Sequence, residues 1–218
     1  MIINEGILRK IVRNNLIQEK KLDFGGGSIF GDRVSSAKSV KDFNFPFSSS
    51  QSIDDVDDSS FSNNFRSDVN KIMEKLKQQG YDPIIGSAFR TPEEQEEKIK
   101  KGYSKTKTVY GKHVAMNEKG EKASLAVDLV QNKAGWSNTE EAFNFFEALG
   151  KIINEEYKDK IIWGGNWKPK KKKIGNKTYN IGWDPAHIES NVKSKKAIER
   201  TKKGIEYLKS QNKEKDQT

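Results

Sequence analysis

The chain contains no cysteine, and only two of its 218 residues are histidines, His113 and His187. Lack of cysteine excludes disulfides, thiolate zinc sites and a cysteine nucleophile. No apolar run approaches the roughly 20 residues of a membrane span. The opening stretch, MIINEGILRKIVRNNLIQEKK, lacks the uninterrupted apolar core of a signal peptide. A soluble chain without an export signal of its own is therefore expected. There is no HExxH, so the helix-borne zinc protease pattern is missing. No RNP-like or helix-turn-helix signature is present either, and helices and short strands mix without a βαβ rhythm. That last absence favours an α+β fold with a small antiparallel sheet over a parallel one.

Positive charge is abundant. The net charge is +9 and the pI about 9.4, which predicts attraction to a polyanion: nucleic acid, anionic lipid or bacterial wall polymer. Hydrophobic and charged residues each make up 33 %, lean for a fully packed globule, so part of the chain is expected to be tail or linker. Residues 1–23 form a basic amphipathic segment, with Ile7, Leu8, Ile11, Val12 and Leu16 at helical spacing around Arg9, Lys10 and Arg13. It suits docking on its own domain, a partner, a virion or a membrane surface. Residues 24–65 begin with three glycines and are rich in serine, as a linker is. They also hold FNFPF, and disordered segments are usually poor in aromatics, so they equally suit an extended arm docked on the domain.

From residue 66 the pattern is orderly. Val69, Ile72, Met73 and Leu76 mark a helix that Gly80 can end. PIIGSAF is a strand candidate. Thr91, Pro92 and Glu94 open a helix with a capping box, stopped at Gly102. SLAVDLV alternates as a strand does, and Ala142, Phe143, Phe146, Leu149, Ile152 and Ile153 form a helix face. KIIWGGNW and KTYNIGW are expected to be strands flanking a lysine loop at 168–173. Residues 191–218 read as a weak basic helix and a polar tail, leaving 66–190 as the catalytic unit.

Two stretches carry chemistry. Aspartate is depleted in strands, so Asp128 within SLAVDLV needs a reason; an isolated VDL would suit an edge strand with Asp128 in solvent. In WDPAHIE, Pro185 disfavours a helix through Asp184, and an extended segment after it places His187 and Glu189 on one face. Alone, that suits a surface turn. Taken together, His113, Asp128 and His187 supply the three N/O ligands of a catalytic zinc site. Asp184 is then a spare carboxylate able to take a proton, and Glu189 can orient an imidazole.

SAFRTPEEQ, KHVAMNEKGEKASLAVDLV, WGGNW and WDPAHIE, in that order, resemble the LAS metallopeptidases. These peptidoglycan-cleaving zinc enzymes include D-Ala-D-Ala carboxypeptidases and L-alanyl-D-glutamate phage endolysins. The resemblance implies an α+β fold with Zn2+ on a small central antiparallel sheet with flanking helices. It implies His113, Asp128 and His187 as zinc ligands, Asp184 as catalytic base and Arg90 as the group that contacts substrate or polarises the scissile carbonyl. The sequence departs from the family in three places: Asp128 follows His113 by a step of fifteen positions where seven is usual, Gly111 replaces a serine, and Ser124 replaces a glycine.

The function expected is zinc-assisted hydrolysis of a stem-peptide bond by a monomer, either carboxypeptidase or endopeptidase. The expected setting is a phage lysin made in the host cytoplasm and acting on peptidoglycan, or a virion component. Lys168–Lys173 could add contact with anionic wall polymers. The alternatives are a non-catalytic wall-binding module and a nucleic-acid-binding protein, with charge and four tryptophans in favour of the latter.

Overall fold

The computed structural model describes residues 48–104 and 110–215. The basic helix expected over 1–23 and most of the serine-rich arm lie outside the described residues. Among those described there are six strands: β1 Pro83–Ser87, β2 Ala126–Gln131, β3 Ile161–Trp163, β4 Lys170–Ile174, β5 Lys177–Ile181 and β6 His187–Ser190. Four α-helices accompany them: α1 Phe65–Gln78, α2 Pro92–Lys100, α3 Glu140–Ile152 and α4 Ser194–Lys215. One antiparallel sheet runs β1-β2-β6-β3, and β4 and β5 form a separate ribbon. The fold is α+β with a small antiparallel sheet and flanking helices. No described helix is long and apolar enough to cross a membrane.

The sheet has a core face and a site face. Val127, Leu129 and Ile188 join Val69, Ile72 and Leu76 of α1 and Phe145, Phe146 and Leu149 of α3 in one buried cluster. Fully burying such a side chain contributes about 1.5–3 kcal/mol, whereas an exposed ion pair contributes about 0–1 kcal/mol. The apolar faces, and not surface pairs such as Lys177–Glu147, therefore hold α1 and α3 in place. β2 lies between β1 and β6, so Asp128 is central and buried, not on an edge strand in solvent.

Local signals act where expected, with two corrections. Gly80 ends α1 at φ +87°, with Gly80 N–H donating to Lys77 O and Tyr81 N–H to Leu76 O. Thr91 caps α2 by accepting from Glu94 N–H. The return half of the capping box runs through a third residue, however. Thr91 N–H donates to Ser49 Oγ (2.9 Å), and Ser49 O–H donates to Glu94 Oε2 (2.6 Å). A distant serine can replace the direct bond because the cap needs only an acceptor at that N–H. The second correction concerns the lysines, which are strand and not loop. Lys170–Lys173 pair with Thr178–Ile181 in register. A two-stranded ribbon leaves side chains in water, so its backbone ladder tolerates four consecutive lysines.

The arm from residue 48 onward docks on the sheet. Ser50 and the 88–89 backbone exchange hydrogen bonds of 2.9 and 3.0 Å, Val56 is fully buried, and Asp57 N–H donates to Ser124 O. At the other end, α4 covers the long segment between His113 and Asp128. That segment is a small hairpin, with Met116 bridging Lys122 and a turn at Gly120. Met116 N–H donates to Thr201 Oγ1, and Arg200 pairs with Asp57 at 2.9 Å. Backbones meet closely here: a Cβ on Gly204 would lie 2.3 Å from Asn117 O. Gly204→Val is expected to lower the unfolding free energy by about 1–3 kcal/mol through overpacking, read as a reduced denaturation midpoint with an unchanged slope. A midpoint equal to the parent's would mean that α4 is not seated on this hairpin.

Candidate metal centre

Register places three of the side chains singled out in the sequence on one face. Asp128 pairs with His187 and Ala126 with Glu189, while Val127 opposite Ile188 points into the core. Because side chains alternate, Asp128, His187 and Glu189 all rise from the other face. His113 arrives from a short 3-10 turn, Lys112–Val114, held by Arg90 N–H to His113 O and Leu125 N–H to Lys112 O.

The three donor atoms converge. His113 Nε2 lies 3.2 Å from His187 Nδ1 and 3.4 Å from Asp128 Oδ1, and His187 Nδ1 lies 3.2 Å from the same oxygen. Three ligands at zinc distances of about 2.0–2.1 Å in a tetrahedron stand about 3.3 Å apart, so the spacing fits one face of such a site. All three residues are buried.

The tautomers fit as well. His113 Nδ1–H donates to Ala88 O at 2.7 Å, which leaves the Nε2 lone pair facing inward. His187 Nε2–H donates to Glu189 Oε2 at 3.1 Å, which turns Nδ1 the same way. The hydroxyl of Ser124, in place of the usual glycine, lies 3.0 Å from Ala88 O and 2.7 Å from Ala126 O and shares its single proton between them. It thereby helps to place the carbonyl that orients His113.

Asp128 and Glu189 each have a cation of their own. Arg90 Nη2 contacts Asp128 Oδ2 at 2.5 Å, and its Nε bonds Ser87 Oγ. Lys112 Nζ bonds Glu189 Oε1 at 2.7 Å and Ser190 O at 2.6 Å, with its side chain only 8 % exposed. The sequence singled out Arg90 and Glu189 but offered no signal for Lys112, one of 40 lysines and arginines. Trp167 was also missed; its ring lies 5.1 Å from that of His187 and 5.4 Å from that of Trp183.

Asp184 sits in the turn before β6. Its carbonyl accepts from His187 N–H, and Pro185 O accepts from Trp163 Nε1–H. The glycines of WGGNW make this turn possible, since a Cβ on Gly164 would lie 2.2 Å from Asp184 O. Among the described residues no hydrogen bond or ion pair engages the Asp184 carboxyl. Burial, with Asp128 and Glu189 nearby, raises its pKa above the ordinary carboxylate value, against the pull of His187 and Arg90.

Burial lowers the pKa of His113, outweighing the attraction of Asp128. Burial also opposes charge on His187, but its bonds to Asp128 and Glu189 prevail and push it up to about 9. Despite burial, the two histidines hold Asp128 well below the carboxylate range. The proton on His187 Nδ1 thus occupies the place a cation would take. Below pH 9 a bound metal displaces that proton, so apparent affinity is expected to rise up to about tenfold per pH unit towards pH 9 and then level off. Calorimetric titration of zinc in buffers of different ionisation enthalpy reads the released proton; uptake independent of pH between 6 and 8 would contradict this arrangement.

No curated protein matches the chain significantly. Among solved structures, it is similar to the L-Ala D-Glu endopeptidase ChiX of Serratia marcescens, at 16 % identity, 57 % of this chain, 79 % of that chain and a TM-score of 0.37. It is also similar to the LdcB LD-carboxypeptidase, at 18 % identity, 76 % of this chain, 80 % of that chain and a TM-score of 0.38. The phage L-alanyl-D-glutamate peptidase family is matched over residues 46–191, a span that begins at the arm and ends just after β6. With both histidines, Asp128, Asp184 and Arg90 inside that span, the chain belongs to the phage L-alanyl-D-glutamate peptidase family and is a peptidoglycan-acting peptidase.

Proposed function

We propose that the chain is a zinc-dependent endopeptidase that hydrolyses the L-alanyl-D-glutamate bond of peptidoglycan stem peptides. The observation that carries this is the convergence of His113 Nε2, Asp128 Oδ1 and His187 Nδ1, which stand 3.2 to 3.4 Å from one another. A zinc ion held there supplies Lewis acidity, lowering the pKa of a water molecule and polarising a carbonyl.

The chain's own residues do the rest. Asp184, partly buried and without a hydrogen-bond partner among the described residues, accepts the proton of the attacking water and returns it to the leaving amine. Its raised pKa brings it nearer to the pH at which both transfers are efficient. Arg90 uses Nη2 on Asp128 and Nε on Ser87 and keeps further N–H donors at the edge of a cleft. Those donors stabilise the oxyanion that develops on the scissile carbonyl; losing one such donor costs about 3–4 kcal/mol in known enzymes. Glu189, braced by Lys112, holds the proton on His187 Nε2. The exposed lysines of β4 favour docking on anionic wall polymers, in keeping with a lysin acting at the wall.

Digestion of purified peptidoglycan by the zinc-loaded chain, with mass spectrometry of the products and a chelator control, tests this function. New N-terminal D-glutamate and C-terminal L-alanine ends that disappear with chelator are expected. Release of free D-alanine would replace the endopeptidase with a carboxypeptidase, and intact peptides would favour a binding module.

A further inference from the structure

A cleft of about 500 Å3 opens beside the metal centre and reaches Asp128. The docked arm at Ser49 forms one wall, α2 a second, and Trp136 an apolar third, its ring against Gly86 where a Cβ would come within 2.3 Å. Four charged side chains line it: Arg90, Glu94, Lys98 and Asp128. Three are engaged within the protein. Arg90 and Asp128 hold each other at 2.5 Å, and Glu94 accepts from Ser49 O–H at 2.6 Å. Lys98 lies one turn beyond Glu94 on the same face of α2. Among the described residues no hydrogen bond or ion pair engages its ammonium.

The chemistry of the bond says what that cation is for. A glutamate joined into a peptide through one carboxyl keeps the other, which is ionised at neutral pH. In an L-alanyl-D-glutamate bond this residue donates the cleaved amide, so its free carboxylate comes to rest next to the metal centre. On this side of the centre the charge of Asp128 is already answered by Arg90. The remaining donors of Arg90 are taken, in the function proposed above, by the scissile carbonyl, which leaves Lys98 as the cation of the cleft with no other task. We infer that Lys98 binds the free carboxylate of the D-glutamate residue and makes the enzyme selective for an acidic over an amidated stem peptide. Ser49 supports the subsite by tying Glu94 back, so that the neighbouring carboxylate does not take up the Lys98 ammonium. This subsite rests on the endopeptidase function proposed above.

Two stem peptides that differ only at this group, one with D-glutamate and one with its α-amide, test the inference on the full zinc-loaded chain. The parent is expected to prefer the acid by about tenfold in KM, the weight of one hydrogen bond to a charged group. Lys98→Gln should bring the two peptides within about twofold by weakening only the acid, since the amide gains nothing from a cation. Lys100→Gln, on the same helix but outside the cleft, should keep the preference. Binding of both peptides to the chelator-treated chain, where no cleavage occurs, gives a second readout. Equal affinity of the parent for acid and amide, or equal losses for both in Lys98→Gln, would overturn the subsite. A binding preference that depends on Lys98 without any cleavage by the zinc-loaded chain would support the subsite while removing the endopeptidase function.

Discussion

Asp184→Asn is expected to reduce kcat by about 10²- to 10⁴-fold, the usual contribution of a positioned acid-base group, while zinc remains bound at one per chain. The substitution keeps size and shape and removes only the ability to accept and return a proton. Because the Asp184 carboxyl has no hydrogen-bond partner among the described residues, no protein donor loses its acceptor, and at this partly exposed position the new amide N–H groups can be solvated. Burial works against its charged form, so the melting temperature should stay level or rise slightly. The sign for pH follows from the same shift. Burial holds the folded pKa above that of an ordinary aspartate, so the acid limb of kcat/KM in the parent should fall at a higher pH than such an aspartate gives. In the variant that limb should vanish. Activity within tenfold of the parent, with zinc in place, would remove Asp184 from the role of base.

His187→Ala is expected to lose metal and activity together, and this separates it from Asp184→Asn. The imidazole is one of three donors and is also the contact between Asp128 Oδ1 and Glu189 Oε2. Loss of a group that merely orients a ligand costs 10- to 100-fold in metal affinity, so loss of the ligand itself should exceed about 100-fold. Stability should fall too. The metal-free cluster holds His187 protonated up to about pH 9. That raised pKa contributes stability that is fully present below about pH 6.5, the unfolded value, and is lost as pH rises through 9. The variant should therefore be destabilised most at pH 6 and least at pH 10. Zinc binding at parental affinity, measured by competition with a chromogenic chelator, would show that His187 is not a ligand.

Much of the site was legible because its signals are local. An aspartate in an otherwise apolar strand, a histidine and a glutamate two apart after a proline, and the scarcity of imidazole each point to chemistry without knowledge of the fold. Helix ends were legible for the same reason: Gly80 and the Thr91–Pro92 pair act on backbone groups within a few residues. Lys112 was not legible. One lysine among many gives no sign that its ammonium will be buried between Glu189 and Ser190 O. Ser49 was equally silent, since its part in the α2 cap depends on an arm that returns from 42 residues away.

What the sequence determined by itself is the donor inventory and the period of each element. It has two histidines, a strand aspartate and a spare carboxylate, with apolar residues at spacings that make helices and strands. What only the tertiary structure decided is which of these meet. The antiparallel register of β2 with β6 sets Asp128 opposite His187, and a slip of one residue would turn one of them into the core. The packing of α4 on the hairpin after His113 allows two neighbouring donors to stand fifteen positions apart in the chain. Asp128 and Glu189 also acquire their cations, Arg90 and Lys112, only in the folded chain. Register and packing join residues far apart in the chain through burial and Coulomb forces, and no short stretch of sequence contains both partners.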